Sequence, residues 1–128
     1  MKPLVTIVIV NWNGGQKILN CIKSLKNTSY KKYKVVVVDN GSKDDSIEKL
    51  KRINNKITFI RLSKNNGYTI AQNIGWKYAL EKLNARYVCA MDSDIEIIQK
   101  NWLELIIKEM EKNRKFGISS GKLVFPDN

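Results

Sequence analysis

The chain has 128 residues, enough for one domain around one core, and its 43% hydrophobic and 27% charged content is that of a globular protein, not a disordered one. It carries 23 basic and 12 acidic residues and no histidine, giving a formal net charge of +11. The missing histidine excludes Ser-His-Asp and Cys-His catalysis and His-ligated zinc, while the basic balance suits polyanions such as nucleic acid, anionic headgroups or a phosphorylated ligand.

Leu4 to Val10 (LVTIVIV) is a continuous β-branched run, the pattern of a strand buried on both faces. It is far too short to span a bilayer, and neither a basic n-region nor a small-residue cleavage site accompanies it, so no signal peptide is expected. The expected location is cytoplasmic, with a peripheral position at the inner face of the membrane as an option that the charge leaves open. Asn11 to Gly15 is a turn, and Ile18, Leu19, Cys21, Ile22 and Leu25 then predict an amphipathic helix ending near Thr28. Val35 to Val38 is a second buried strand, broken by Asp39-Asn40-Gly41-Ser42. Asp44 or Asp45 can cap the next helix, whose inward face is Ile47, Leu50 and Ile53.

Ile57 to Leu62 predicts a third strand, and Asn65-Asn66-Gly67 a turn into a helix from about Thr69 to Leu83. Tyr87 to Met91 is a fourth buried strand ending at Asp92. Trp102, Ile106 and Met110 mark a further helix, and Gly117 to Phe125 a last strand. Cys21 and Cys89, each on an apolar segment, read as free buried thiols. Most basic residues, among them Lys17, Lys23, Lys49, Lys51, Lys108 and Lys112, fall between helical apolar positions and read as solvated faces. The alternation of strands and helices predicts an α/β, Rossmann-like, three-layer sandwich with a mainly parallel central sheet. In such sheets ligands bind beyond the carboxyl ends of the strands, near the point where strand order reverses. The segments Asn11 to Asn13, Asp39 to Ser42 and Asp92 to Asp94 should therefore open onto one edge.

Asp92-Ser93-Asp94 sets two carboxylates at a strand end, where side chains two apart share a face. Two unpaired carboxylates so close repel unless a cation neutralises them, and hard oxygen ligands suit Mg2+ or Mn2+ held jointly with substrate phosphates. A strand-end turn with an aspartate cap is the alternative. Asp39 can accept from a ribose hydroxyl or a base imide N–H, or simply close an Asx-turn. Trp12 can stack on a base or a sugar, or pack as a lid on a neighbouring helix. Gly67, Ala71, Asn73 and Gly75 put small residues and amides near a helix N-terminus, where backbone N–H groups favour a diphosphate. No GxGxxG or GxxxxGK[ST] is present.

Four segments in order, VTIVIVNWNG, VVVVDNGSKDDS, NNGYTIAQNIGWKYA and YVCAMDSDIEI, resemble the family-two glycosyltransferases of the GT-A fold, and most of all those of rhamnosyltransferase type. The resemblance implies a UDP- or dTDP-linked sugar donor, a divalent metal (Mg2+ or Mn2+), and a polysaccharide or other cell-surface glycan acceptor glycosylated with inversion. It implies that Trp12 packs against the base, that Asp39 hydrogen-bonds it, that Asp92 lies near ribose and sugar, and that Asp94 binds the metal bridging the diphosphate, with Asp92 as second metal ligand. Asn13, Asn66, Gly67, Asn73 and Ser93 complete the expected nucleotide-sugar-binding set. Gln72 departs from the pattern, since many relatives carry an arginine there.

Relatives of this type usually continue into an acceptor-binding half that supplies the general base, whereas only 34 residues follow Asp94 here (128 − 94). Glu104, Glu109 and Glu111 read as surface charges, and Glu96 is too near the acidic pair to act across an acceptor, so no general base is expected in this chain. Residues 1–128 are thus expected to form a single, truncated GT-A nucleotide-sugar-binding domain, incomplete as a catalyst without a second chain or a C-terminal segment. The competing expectation is a basic module for nucleic acid or an anionic membrane that has lost transferase activity. Nucleic acid is the less expected partner, because no RNA-stacking motif or concentrated basic helix is present.

Overall fold

Two uninterrupted β-branched runs form the centre of the molecule. In the computed structural model, which describes residues 1–54 and 56–125, β1 (Val5–Asn11) and β2 (Tyr33–Asp39) lie side by side and parallel. All of β1 and the last five residues of β2 are buried. β3 (Thr58–Arg61) extends the sheet beyond β2, and β4 (Tyr87–Met91) extends it beyond β1. Among the described residues this gives a four-stranded, all-parallel sheet in the order β3-β2-β1-β4. The helices are α1 (Gly15–Leu25), α2 (Ser46–Ile53), α3 (Tyr68–Glu81) and α4 (Trp102–Lys112).

Successive strand residues point to opposite faces, and the core divides accordingly. Val5, Ile7 and Ile9 of β1 and Val35 and Val37 of β2 pack with Ile18 and Ile22 of α1, Ile47 and Leu50 of α2, and Leu103 and Ile107 of α4. Val8, Val10, Val36 and Val38 meet α3 through Ala71 and Ala79. The result is the three-layer α/β sandwich that the alternation predicts. Right-handed crossovers require this arrangement: the chain steps from β1 to β2 to β3 over one face, then returns over the other to reach β4. Strand order therefore reverses between β1 and β4, and the carboxyl ends of these two strands flank the crevice.

The buried stripe of α3 is built from small residues so that the helix can approach the sheet closely. A Cβ on Gly75 would lie 2.3 Å from Val8 Cγ1 and 3.0 Å from Val38 Cγ2. Ala71 and Gly75, read from the sequence as part of a diphosphate cradle, thus serve helix–sheet packing.

Three expectations need correction. β4 is an edge strand, bonded only to β1 and half-buried, and Cys89 on it is half-buried as well. Gly117 to Phe125 forms no strand: an extended segment needs a ladder to satisfy its N–H and C=O groups, and none of the described residues supplies one. The helix marked by Trp102, Ile106 and Met110 is present as α4, which turns Leu103 and Ile107 inward and leaves Ile106 and Met110 half-buried. Of the two aspartates expected to cap α2, Asp45 stands at the N-cap without a side-chain bond, and Asp44 Oδ1 accepts from the Ser46 N–H, the first of the helix, at 3.2 Å. Among the described residues no helix is long and apolar enough to cross a membrane.

The closeness of α3 to β1 makes a direct test. Gly75→Ala is expected to destabilise the fold by about 1–3 kcal/mol through overpacking, seen as a lower urea midpoint at unchanged slope. A midpoint equal to the parent's would contradict this packing.

Candidate functional site

The last rung of the β1–β2 ladder pairs Asn11 with Asp39, both buried. Buried polar groups must find partners, and Asn11 finds them in the next loop. Its Nδ2 donates to Asp39 Oδ1 at 3.3 Å, Ser42 Oγ at 3.0 Å and Ser46 Oγ at 3.0 Å. Asn13 adopts a left-handed backbone (φ 50°). Its N–H donates to Ser42 Oγ at 2.9 Å, and its Oδ1 accepts from the Lys43 N–H at 2.8 Å. Asp44 Oδ2 accepts from the Gly15 N–H at 2.9 Å, while Oδ1 accepts from the Ser46 hydroxyl at 2.6 Å. Desolvation raises the Asp44 pKa, but hydrogen bonds from Ser46 and Gly15, with the Lys49 charge nearby, outweigh it and hold the carboxyl below its ordinary value. Stitched in this way, the loop after β1 turns Trp12 outward, 58% exposed.

A second set of bonds ties in the loop before α3. Asn40 Nδ2 donates to Asn65 Oδ1 at 2.9 Å, and Asn40 Oδ1 accepts from the Asn66 N–H at 2.9 Å. At Gly41 (φ +79°) a Cβ would stand 2.6 Å from the Lys64 carbonyl carbon, so only glycine permits this approach of the two backbones. Asp39 lies beneath, 1% exposed, with Oδ2 3.3 Å from Arg61 Nε and Oδ1 taking the Asn11 and Ser42 bonds.

Asp92-Ser93-Asp94 follows β4 as a turn closed by the Ile95 N–H donating to Asp92 O at 3.2 Å. Both carboxylates and Ser93 line a cleft of about 420 Å3 together with Trp12, Gly67 and Tyr68. The Tyr68 hydroxyl donates to Asp92 Oδ1 at 3.0 Å. Desolvation and then this bond raise the Tyr68 pKa, so the phenol stays protonated and able to donate. Behind the turn, burial pushes the Cys21 thiol up to about 12, with Asp94 and Glu96 adding to the effect, so Cys21 remains an inert core group.

The donor set suits a hard divalent cation, since carboxylate oxygens are what Mg2+ and Mn2+ take. It is also half a shell: among the described residues no three His, Cys, Asp or Glu side chains cluster closely enough to hold a metal by themselves. Substrate phosphates and water would have to complete the coordination.

Of the residues expected from sequence, Trp12, Gly67, Asp92, Ser93 and Asp94 line this cleft. Asn13, Asp39 and Asn66 do not line it and instead bond the loops that shape it. Asn73 is exposed further along α3. Sequence reasoning missed Val10, Asn40 and Asn65 on the cleft wall, Tyr68 against Asp92, and Arg61 against Asp39. Tyr68 carried a legible signal, being the first residue of the helix after the Gly67 turn. Arg61 carried none, because its partner is fixed by the β2–β3 register that pairs Asp39 with Arg61.

Residues 6–124 match the model for glycosyl transferase family 2. The chain belongs to this family. It is similar to TuaG of Bacillus subtilis, a glycosyltransferase assigned to teichuronic acid biosynthesis, with 28% identity over 98% of this chain and 50% of that protein. In structure it resembles residues 1–349 of Staphylococcus aureus TarS in complex with UDP-GlcNAc, at a TM-score of 0.75 and 22% identity, covering 87% of this chain and 32% of that one. It also resembles the mannosyltransferase PcManGT of Pyrobaculum calidifontis in complex with GDP-Man and Mn2+, at a TM-score of 0.75 and 21% identity, covering 86% of this chain and 33% of that one. The structural likeness establishes a shared GT-A fold. The chain spans between a third and a half of the length of these proteins.

The loop network has a pH signature. A carboxyl whose folded pKa lies below its unfolded value of 3.8 contributes stability that is present above that value and is lost as pH falls through the folded one. Asp44→Ala is therefore expected to flatten the acid limb of the stability–pH profile below about pH 4. Urea melts across this range check it, and an acid limb as steep as the parent's would refute the assignment.

Proposed function

We propose that this chain is the donor-binding unit of an inverting glycosyltransferase, taking a UDP- or dTDP-linked sugar with Mg2+ or Mn2+ and serving a polysaccharide or other cell-surface glycan acceptor. One observation carries the reading. The loops after β1 and β4 and the start of α3 bring an exposed tryptophan, a glycine turn and an acidic pair onto one cleft, at the point where strand order reverses. The UDP-GlcNAc and GDP-Man of the two structural neighbours support a nucleotide-sugar ligand, the Mn2+ of one supports the metal, and the assignment of TuaG supports a cell-wall acceptor.

In this reading Trp12 stacks on the base, and Ser93 and the Gly67 turn flank the diphosphate. In the same reading an imide N–H of the base replaces Arg61 Nε as the donor to Asp39 Oδ2. Asp92 lies by the ribose and sugar, oriented by Tyr68, and Asp94 holds the metal. A bound Mg2+ or Mn2+ would neutralise the departing nucleoside diphosphate and act as a Lewis acid. The general base is assigned to none of the described residues: Glu96 accepts from Asn20 beside the turn, and Glu104 and Glu111 are engaged by Lys2 and Arg86 at the far edge of the sheet.

Ligand-induced thermal stabilisation tests the proposal. A nucleoside diphosphate with Mn2+ at a hundredfold excess over Kd is expected to stabilise the chain by about 2.7 kcal/mol, Mn2+ alone much less, and Asp94→Ala should abolish the gain. Tyr68→Phe should retain binding but weaken it by about 0.5–1.5 kcal/mol, the worth of one hydrogen bond. No shift with any uridine, thymidine or guanosine diphosphate plus metal would sink the donor-binding reading.

A further inference from the structure

The molecule separates its charges along the strand axis. Asp44, Asp45, Glu48, Asp92, Asp94 and Glu96 all follow the carboxyl ends of strands or open the helix that begins there. The opposite edge, where α1 and α2 end and β2 and β3 begin, is basic. Lys26 caps α1, Lys31 and Lys32 lead into β2, Arg52 sits in the last turn of α2, and Lys56 precedes β3. All five are exposed, and among the described residues none is in an ion pair. Nor does the chain dilute them locally, since the sequence holds no acid from Lys17 to Val38 or from Lys49 to Leu80. Glu104 and Glu111, which reach this edge, are matched by Lys2 and Arg86, while Glu81, exposed at the end of α3 on the other face of the sheet, is in no ion pair among the described residues.

Basic residues in a last helical turn complement the helix dipole, which accounts for Lys26 and Arg52. Lys31, Lys32 and Lys56 lie outside any helix and are surplus to that role. Lys26, Arg52 and Lys56 also line a hollow of about 520 Å3 with Tyr33 and Ile53. Two carbonyls beside it are already used: Lys26 Nζ donates to Ile53 O at 3.1 Å, and the Tyr33 hydroxyl donates to Leu25 O at 2.9 Å. What the hollow offers a ligand is positive charge and N–H donors.

We propose that this basic edge docks on the anionic phospholipid headgroups of a bilayer surface, holding the chain there peripherally. A flat array of phosphates is the complement of cations spread along a sheet edge, and Lys and Arg near such a surface are attracted within a Debye length of it. Single-stranded nucleic acid would call for exposed rings to stack its bases. Here the Tyr30 ring is in the core and Tyr33 is partly buried against it. In this pose the donor cleft stands about 20 Å from the lipid, the length of a seven-residue strand, and stays open to soluble donors.

Co-sedimentation of the full chain with vesicles decides it. Vesicles of phosphatidylglycerol and phosphatidylcholine should bind at low salt and release at high salt, and pure phosphatidylcholine should not bind. Lys26→Glu, Arg52→Glu and Lys56→Glu together should weaken binding at least tenfold. Lys17→Glu, Lys43→Glu and Lys64→Glu, an equal change of net charge toward the opposite edge, should weaken it far less. Circular dichroism melts confirm that both triple variants fold, and single reversals at the same sites replace either triple that does not. Asp94→Ala should bind vesicles like the parent, which separates this surface from the donor cleft. Equal loss in both sets, binding to neutral vesicles, no binding at low salt, or displacement from vesicles by RNA at equal phosphate concentration would each overturn the proposal.

Discussion

The cleft depends on what happens at the last rung of the central ladder. β1 and β2 are apolar along almost their whole length, and both end on a polar residue at the same level, Asn11 opposite Asp39. Neither can reach water, so each must be satisfied by protein atoms at the cost of fixing whatever supplies them. Asn11 draws in Ser42 and Ser46, and Asp39 draws in Arg61 and the Ser42 N–H. The loops after β1 and β2 are thereby locked to each other before any ligand arrives. The lock also constrains its own surroundings: a Cβ on Gly14 would fall 2.3 Å from Asn11 Oδ1, an atom that has no hydrogen-bond partner among the described residues.

From that rung the constraint passes outward. Asn13 is held in a left-handed conformation by its bonds to the second loop, and this turns the neighbouring Trp12 to solvent. Asn40, one residue beyond Asp39, holds the Asn65–Asn66 turn and so sets where α3 begins. Tyr68, the first residue of α3, then reaches Asp92. The acidic pair and the aromatic wall are thus joined by a chain of side-chain bonds that starts in the core. Gln72 stands outside this chain of bonds: it is buried on α3 and, like Thr6 Oγ1 and Asn11 Oδ1, its amide atoms have no partner among the described residues, which nothing in the structure explains.

This chain of bonds also shows what was legible in the sequence. Apolar runs fix strands wherever both faces are covered, so β1, β2 and the α1 core face were readable from LVTIVIV, VVVV and the Ile18–Leu25 spacing. The turn after β4 and the glycine turn before α3 were readable for the same reason, being breaks in strong patterns. What sequence could not show was partnership. Gly117 to Phe125 has strand-forming residues, yet a strand exists only where another backbone meets it. Asn13 and Asn66 looked like ligand contacts because polar residues in site loops often are; in the structure the N–H and Oδ1 of Asn13 and the N–H and Nδ2 of Asn66 bond the loops themselves. Asp39 pairs with an arginine 22 positions later through sheet register, a relation invisible to local pattern.

The acidic pair is where structure and chemistry constrain each other most tightly. Two carboxylates on a turn cannot close a coordination sphere around a divalent ion, and one of them already accepts from Tyr68. A site of this kind binds metal weakly by itself and gains affinity when a diphosphate contributes oxygens. By linkage the diphosphate gains the same factor from the metal. Such reciprocity suits the donor-binding role proposed for this cleft, in which neither free metal nor free nucleotide would occupy it efficiently alone. On the proposed reading Tyr68 has a role beyond structure: its bond to Asp92 would fix the orientation from which the carboxylate meets the donor. The ladder end and the acidic turn are therefore complementary parts of one arrangement, the first holding the geometry and the second leaving coordination positions that the proposed donor would fill.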